Sequence, residues 1–309
     1  SYIRVTDNGA GMSAEDAKIC FLRHATSKIS TGEDLEEIYT LGFRGEALSS
    51  MAAVSRLQIQ SGQWKMNASV TEDHLLSPCA PVTGTIVQTQ ALFENFPARR
   101  SFLKRPASEA VMCRNTFVEK ALPRPDIAFS FSSDGEEKLN LSASDSLTGR
   151  FTDAMELYDS ADLFYELTGS SNDRDRSWSF TLVIGEPSVC RSNRKDIFIY
   201  VNGRRVSEFA LVQAIEFGCQ GFFPNGTHPV AALFAQLAPD TVDFNIHPAK
   251  REARFKDLSG LHHGVSTVTA HFFRNYGIKK TADSVSERQE EGMPAPMLDL
   301  ARLAEQALP

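Results

Sequence analysis

Asp7-Asn8-Gly9-Ala10-Gly11-Met12 sets a carboxylate at the end of the alternating segment Tyr2 to Thr6, then supplies two glycines where the backbone must turn sharply beside a ligand. A carboxylate so placed suits the amino group of an adenine, a charge-assisted hydrogen bond contributing about 1.5–3 kcal/mol, and the bare glycines leave room for base and ribose. The same residues also spell an ordinary Asp-Asn-Gly turn. Arg23-His24-Ala25-Thr26-Ser27-Lys28 follows, and Leu41-Gly42-Phe43-Arg44-Gly45-Glu46-Ala47-Leu48 is a glycine-flanked loop opening a helix. A helix N-terminus attracts phosphate by about 0.3–1 kcal/mol per charge. Gly84-Thr85 adds a backbone turn and a hydroxyl at a strand start.

Basic residues are bunched at Arg99, Arg100, Lys104 and Arg105, at Arg191, Arg194, Lys195, Arg204 and Arg205, and at Lys250, Arg251, Arg254 and Lys256. Such patches bind phosphate or are solvated faces. The formal charge of the 309 residues is −7, but Thr281 to Pro309 holds six acids against two bases, leaving −3 for the rest. With 42% hydrophobic residues, 23% charged and no apolar run of about 18 residues, the composition is that of a globular protein without a membrane span, long enough for two domains. Cys20, Cys79, Cys113, Cys190 and Cys219 are far apart with no Cys-x-x-Cys, which predicts free thiols and no zinc site. His262 and His263 are adjacent on a predicted helix and point different ways, so no metal ligand is expected there.

The elements that must position these residues follow from periodicity. A strand over Tyr2 to Thr6 precedes a helix Ala14 to Leu22, with Ser13 as N-cap and Asp16 at the third helical position. Helices are predicted over Glu33 to Tyr39 and Glu46 to Val54, with the loop Thr40 to Gly45 free to move between them. Strand patterns lie around Leu57 to Gln60, Thr85 to Leu92, Ile127 to Ser132 and Lys138 to Ser142, with a helix around Ser108 to Ala121. The polar run Ser142 to Thr148 marks a boundary. Beyond it, Trp178, Phe180, Leu182 and Ile184 share a strand face, and Ile197 to Val201 runs into the turn Asn202-Gly203. Phe209 to Phe217 is a helix, Val230 to Leu237 a strand, Val242, Phe244 and Ile246 alternate, and Leu261 to Tyr276 closes the domain. The resulting division is 1–146, 147–280 and a polar linker 281–309.

This order of motifs resembles the GHKL ATPase superfamily, which includes MutL proteins, type II topoisomerase ATPase subunits and histidine kinases. Gly42 to Leu48, GFRGEAL, matches the MutL family heptapeptide. Phe96 to Leu103 resembles that family's NTPARRKFL segment, Tyr200 to Arg204 its YVNGR hairpin, and Asn245 to Lys250 its NVHPAK strand end. Phe96 departs from the polar residue found there. The likeness spans Tyr2 to about Tyr276.

The resemblance implies an α/β (α+β) fold: a GHKL mixed sheet layered with helices, then a ribosomal-protein-S5-like βα domain. It implies that Asp7 meets the adenine, with Gly9, Gly11 and Met12 in the bend beside it and Thr85 supporting the contact through water. It assigns Lys28, Arg44 and Gly45 to a lid around the phosphates and Lys250 to the γ-phosphate. The family's water-activating glutamate and its Mg²⁺-binding asparagine precede the strand at Tyr2; Ser1 is read as an unnatural start, and the fragment is expected to hydrolyse poorly. Implied partners are ATP with Mg²⁺, a MutS-type protein, a second copy or paralogue, and DNA. The DNA contact is expected to be non-specific and carried by Arg191, Arg194, Lys195, Arg204 and Arg205. The implied setting is the bacterial cytoplasm, or the nucleus in a eukaryote. A topoisomerase subunit, and a scaffold that does not hydrolyse nucleotide, are the alternatives.

Overall fold

The computed structural model describes residues 2–22, 46–68, 75–171, 177–244 and 253–290. The chain divides into two compact units, Ser1–Glu119 with Phe131–Lys138, and Lys120–Ser130 with Leu139–Pro309.

In the first unit β1 (Tyr2–Thr6), β2 (Arg56–Ala68) and β3 (Leu75–Gln90) form an antiparallel sheet with β3 in the middle. Leu57, Ile59 and Ser61 alternate onto one buried face of β2, as a period of two requires. The register then slips at Ser61/Gly62 and again before Trp64, with Gly62 at φ +55°. After this irregularity the buried positions are Met66 and Ala68. Two helices cover that face. In α1 (Ala14–Ile19) the Ser13 hydroxyl accepts the Asp16 N–H at 3.0 Å, the cap read from sequence. The helix is shorter than expected because a turn, closed by the Leu22 N–H on the Ile19 carbonyl, brings Phe21 into the core. Together with α2 (Ala47–Val54), it packs Ala17, Phe21 and Ala52 with Leu57 and Ile59. The chain continues through α3 (Pro97–Arg100), α4 (Pro106–Ala121) and the hairpin of β4 (Phe129–Ser133) and β5 (Glu136–Leu141). The predicted helix Glu33 to Tyr39 lies outside the described residues.

The second unit contains α5 (Leu147–Ala154) and is built on a five-stranded sheet. Its strands are β6 (Phe164–Ser171), β7 (Trp178–Gly185), β8 (Ile197–Val201), β9 (Arg204–Arg205) and β10 (Ala231–Leu237), in the order β6-β7-β10-β8-β9. Every pairing is antiparallel except β8 with β10, whose crossover contains α6 (Phe209–Cys219). β8 is apolar and buried at all five residues, as a strand covered on both faces must be. The β8–β9 turn has Asn202 at φ +49° and Gly203 at φ +74°, the primed geometry that the Asn-Gly pair predicts. Short strands β11 (Val242–Asp243) and β12 (Arg254–Phe255) pair beside it. α7 (Ser259–Glu290) packs Leu261, Val265 and Phe273 into the core, and Gly264 admits the Trp178 ring, which a Cβ there would meet at 2.3 Å. It runs past the expected end at Tyr276 and into the segment read as linker, where no proline or glycine interrupts Ile278 to Glu290. Among the described residues no helix is long and apolar enough to cross a membrane. The five cysteines are free thiols, and burial pushes that of Cys20 up to about 11.

Candidate functional site

Pairing of β1 with β3 brings together two motifs 78 residues apart. The register Thr6 opposite Ile86 delivers Asp7 to Thr85, and the Asp7 N–H donates to the Thr85 carbonyl at 2.9 Å. One carboxylate oxygen of Asp7, Oδ1, accepts the Thr85 N–H at 3.1 Å and the Gly9 N–H at 2.9 Å. These bonds fix the carboxylate plane and leave Oδ2 without a hydrogen-bond donor among the described residues, on an exposed side chain.

Glycine is needed here for close approach. Gly84 takes φ +70°, and a Cβ on it would lie 2.1 Å from the Asp7 carbonyl oxygen. Gly11 takes φ +73°, and its Cβ would lie 2.8 Å from the Ser61 hydroxyl. Gly9 has only 3.0 Å between a built Cβ and Asp7 Oδ1. Glycine at these positions lets the turn, β2 and β3 approach one another more closely than a side chain would allow. Ser61 joins the two motifs: its hydroxyl accepts the Met12 N–H at 2.8 Å, donates to the Gly84 carbonyl at 3.0 Å and stands 3.3 Å from the Thr85 hydroxyl. Sequence reasoning missed Ser61. Its position on the buried face of β2 carries no local signal, because an alternating strand face calls for an apolar residue there.

The expected phosphate and lid residues Lys28, Arg44 and Gly45, and the expected γ-phosphate residue Lys250, lie outside the described residues. The five arginines and lysines expected on a DNA-facing surface are all described, and two of them lie against aromatic rings. Arg204 is only 6% exposed and its guanidinium lies 4.5 Å from the Phe244 ring centroid. Arg205 donates to the carbonyls of Ile197, Ile199 and Val206 and stacks on Phe198 and Tyr200. A two-residue strand at the sheet edge puts both guanidinium groups against aromatic rings. Arg191 donates to Asp196 at 3.2 Å. Arg194 makes a fork of 2.7 and 3.1 Å on Glu216, whose Oε1 also meets His228 Nδ1 at 2.6 Å. Burial pushes the Glu216 carboxyl up, but the hydrogen bonds from Arg194 and His228 outweigh it and hold it below its ordinary value. Lys195 is exposed.

Residues 161–273 match a family model described as the C-terminal domain of DNA mismatch repair protein. Over 292 residues the chain is 41% identical to the DNA mismatch repair protein MutL of Treponema pallidum, covering 89% of this chain and 46% of that protein. Over 268 residues it is 40% identical to the MutL of Pelobacter propionicus, covering 84% of this chain and 43% of that protein. The chain therefore spans somewhat under half the length of these relatives. Among solved structures, the fold resembles the N-terminal domain of a DNA repair protein, with a TM-score of 0.66 and 21% identity over 90% of this chain and 86% of that one. It also resembles the Aquifex aeolicus MutL ATPase domain complexed with ADP, with a TM-score of 0.54 and 23% identity over 77% of this chain and 80% of that one.

Proposed function

The chain belongs to the MutL family of DNA mismatch repair proteins, and on that premise we propose that it is the ATP-binding N-terminal region of such a protein. The observation that carries this reading is the meeting of Asp7 and Thr85 beside Gly11 and Gly84, a close approach that fixes Asp7 Oδ1 on two backbone N–H groups and leaves Oδ2 for a ligand. Asp7 Oδ2 is the acceptor for the adenine amino group, Gly9, Gly11 and Met12 shape the space beside it, and Thr85 supplies a further polar contact. Lys28, Arg44 and Gly45 complete the phosphate side, and Lys250 places a cation at the γ-phosphate, where charge accumulates during transfer. Bound Mg²⁺ supplies charge neutralisation at the phosphates. Residues 1–146 hold the nucleotide and 147–280 transmit its state.

In the repair cycle so proposed, nucleotide closes the region on a second copy or paralogue around DNA and couples mismatch recognition by a MutS-type protein to later steps. DNA is held without sequence preference, with Lys195 on the contact surface and Arg191 and Arg194 beside it.

Asp7→Asn tests the reading. The amide keeps an oxygen for Gly9 and Thr85 but presents N–H where the carboxylate presented an acceptor, so ADP affinity falls by about ten- to a hundredfold. Equilibrium titration with ADP measures it; unchanged affinity removes Asp7 from the site and the proposal with it.

A further inference from the structure

Ser61 is 2% exposed and stands at the centre of the node that joins the two nucleotide motifs. A serine hydroxyl has one proton and two lone pairs. Its proton is directed at the Gly84 carbonyl, at 3.0 Å, and a carbonyl offers no proton in return. One lone pair receives the Met12 N–H at 2.8 Å. The remaining neighbour is the Thr85 hydroxyl at 3.3 Å, and with the serine proton already committed this contact is made by the proton of Thr85. Thr85 Oγ1 is then left with lone pairs only. Across the same strand pairing, Asp7 Oδ1 is taken up by two backbone N–H groups, and Oδ2 is a pure acceptor.

We propose that Ser61 is a specificity-determining residue that acts through Thr85. By taking up the Thr85 proton it leaves a pair of acceptors and no hydroxyl donor at the base-recognition edge, which selects a 6-aminopurine over a 6-oxopurine. An exocyclic amine brings two N–H donors to such a pair, whereas a 6-oxo group brings a further acceptor and is repelled. The glycines belong to the same device, because a Cβ at Gly11 would fall 2.8 Å from Ser61 Oγ and displace the hydroxyl. This inference rests on the nucleotide reading above and assigns to Ser61 a role separable from it.

The test is equilibrium titration of the complete protein with ADP and with IDP, whose bases differ in having a 6-amino or a 6-oxo group, read as the ratio of the two affinities. Ser61→Ala releases the Thr85 proton to serve a 6-oxo group, and the ADP preference shrinks by about three- to tenfold. Ser61→Thr keeps the hydroxyl and restores the preference. If Ser61→Ala does not fold, Ser61→Cys, whose thiol is a weak partner, carries the same expectation. Loss of affinity for both nucleotides in equal proportion reduces Ser61 to a scaffold residue and overturns the inference, as does an unchanged ratio in Ser61→Ala or Ser61→Cys. Asp7→Asn is measured alongside: if it diminishes ADP binding while the Ser61 variants leave the ratio intact, only the role of Ser61 fails. If Asp7→Asn leaves ADP binding and the ratio unchanged, the nucleotide reading fails first and takes this inference with it.

Discussion

At the scale of single residues, two glycines with left-handed backbone separate conformational need from steric need. Gly62 has φ +55° with no atom within 4 Å of a built Cβ, whereas Gly84 has φ +70° and the Asp7 carbonyl oxygen at 2.1 Å. Gly62→Ala is expected to cost about 1–2 kcal/mol, the backbone penalty alone. Gly84→Ala must also push β1 from β3, and is expected to cost about 3 kcal/mol or more, with ADP binding abolished even in the folded fraction. Urea denaturation of the two variants measures the difference; equal midpoints would mean that the sheet yields freely at Gly84. Arg150 makes a second residue-level case. It is 1% exposed, and its Nη2 donates to the carbonyls of Pro125, Ile127 and Ser142 at 2.9, 2.6 and 2.9 Å. Arg150→Met leaves three acceptors without that donor and is expected to lower stability by about 3 kcal/mol.

At the scale of elements, Glu216 on α6 ties that helix to the residues around it through Arg194 and His228. Its carboxyl is held below its ordinary value of 4.5, so the ionised form is favoured by folding. The stability this contributes is fully present above the ordinary carboxylate value and is lost as the pH falls through the lower folded value. Melting temperature measured downward from about pH 6 is expected to drop more steeply in the parent protein than in Glu216→Gln, which has no carboxyl to protonate; parallel curves would show that α6 is held by packing alone. The β8–β9 hairpin shows what spacing cannot tell. Asn202-Gly203 announces the turn, and Arg204 and Arg205 follow it, but the sequence does not say which face of a two-residue strand meets the aromatic rings of Phe198, Tyr200 and Phe244.

For the whole molecule, the DNA proposal is open to test at Lys195, an exposed lysine of the basic cluster. On duplex DNA, Lys195→Glu is expected to flatten the log–log salt dependence of affinity by about 0.9 for each phosphate no longer neutralised, with sequence preference unchanged. Arg204→Glu is expected to lower the melting temperature instead, because it buries a carboxylate against an aromatic ring. A salt slope unmoved by Lys195→Glu would take that lysine off the DNA path. The sequence by itself determined the strand before Asp7, the Ser13 cap, the Asn202-Gly203 turn, the extent of β8 and the family, because each is written in local periodicity, turn chemistry or contiguous motif. Tertiary structure decided the rest. Asp7 and Thr85 are neighbours only through the β1–β3 register, Ser61 enters the same node from the third strand, and Arg204 and Arg205 turn inward because apolar rings lie beside them. Hydrogen bonds between strands and the burial of a charged stem depend on which surfaces meet, and residues 24 and 78 positions apart leave no periodicity from which that meeting can be read.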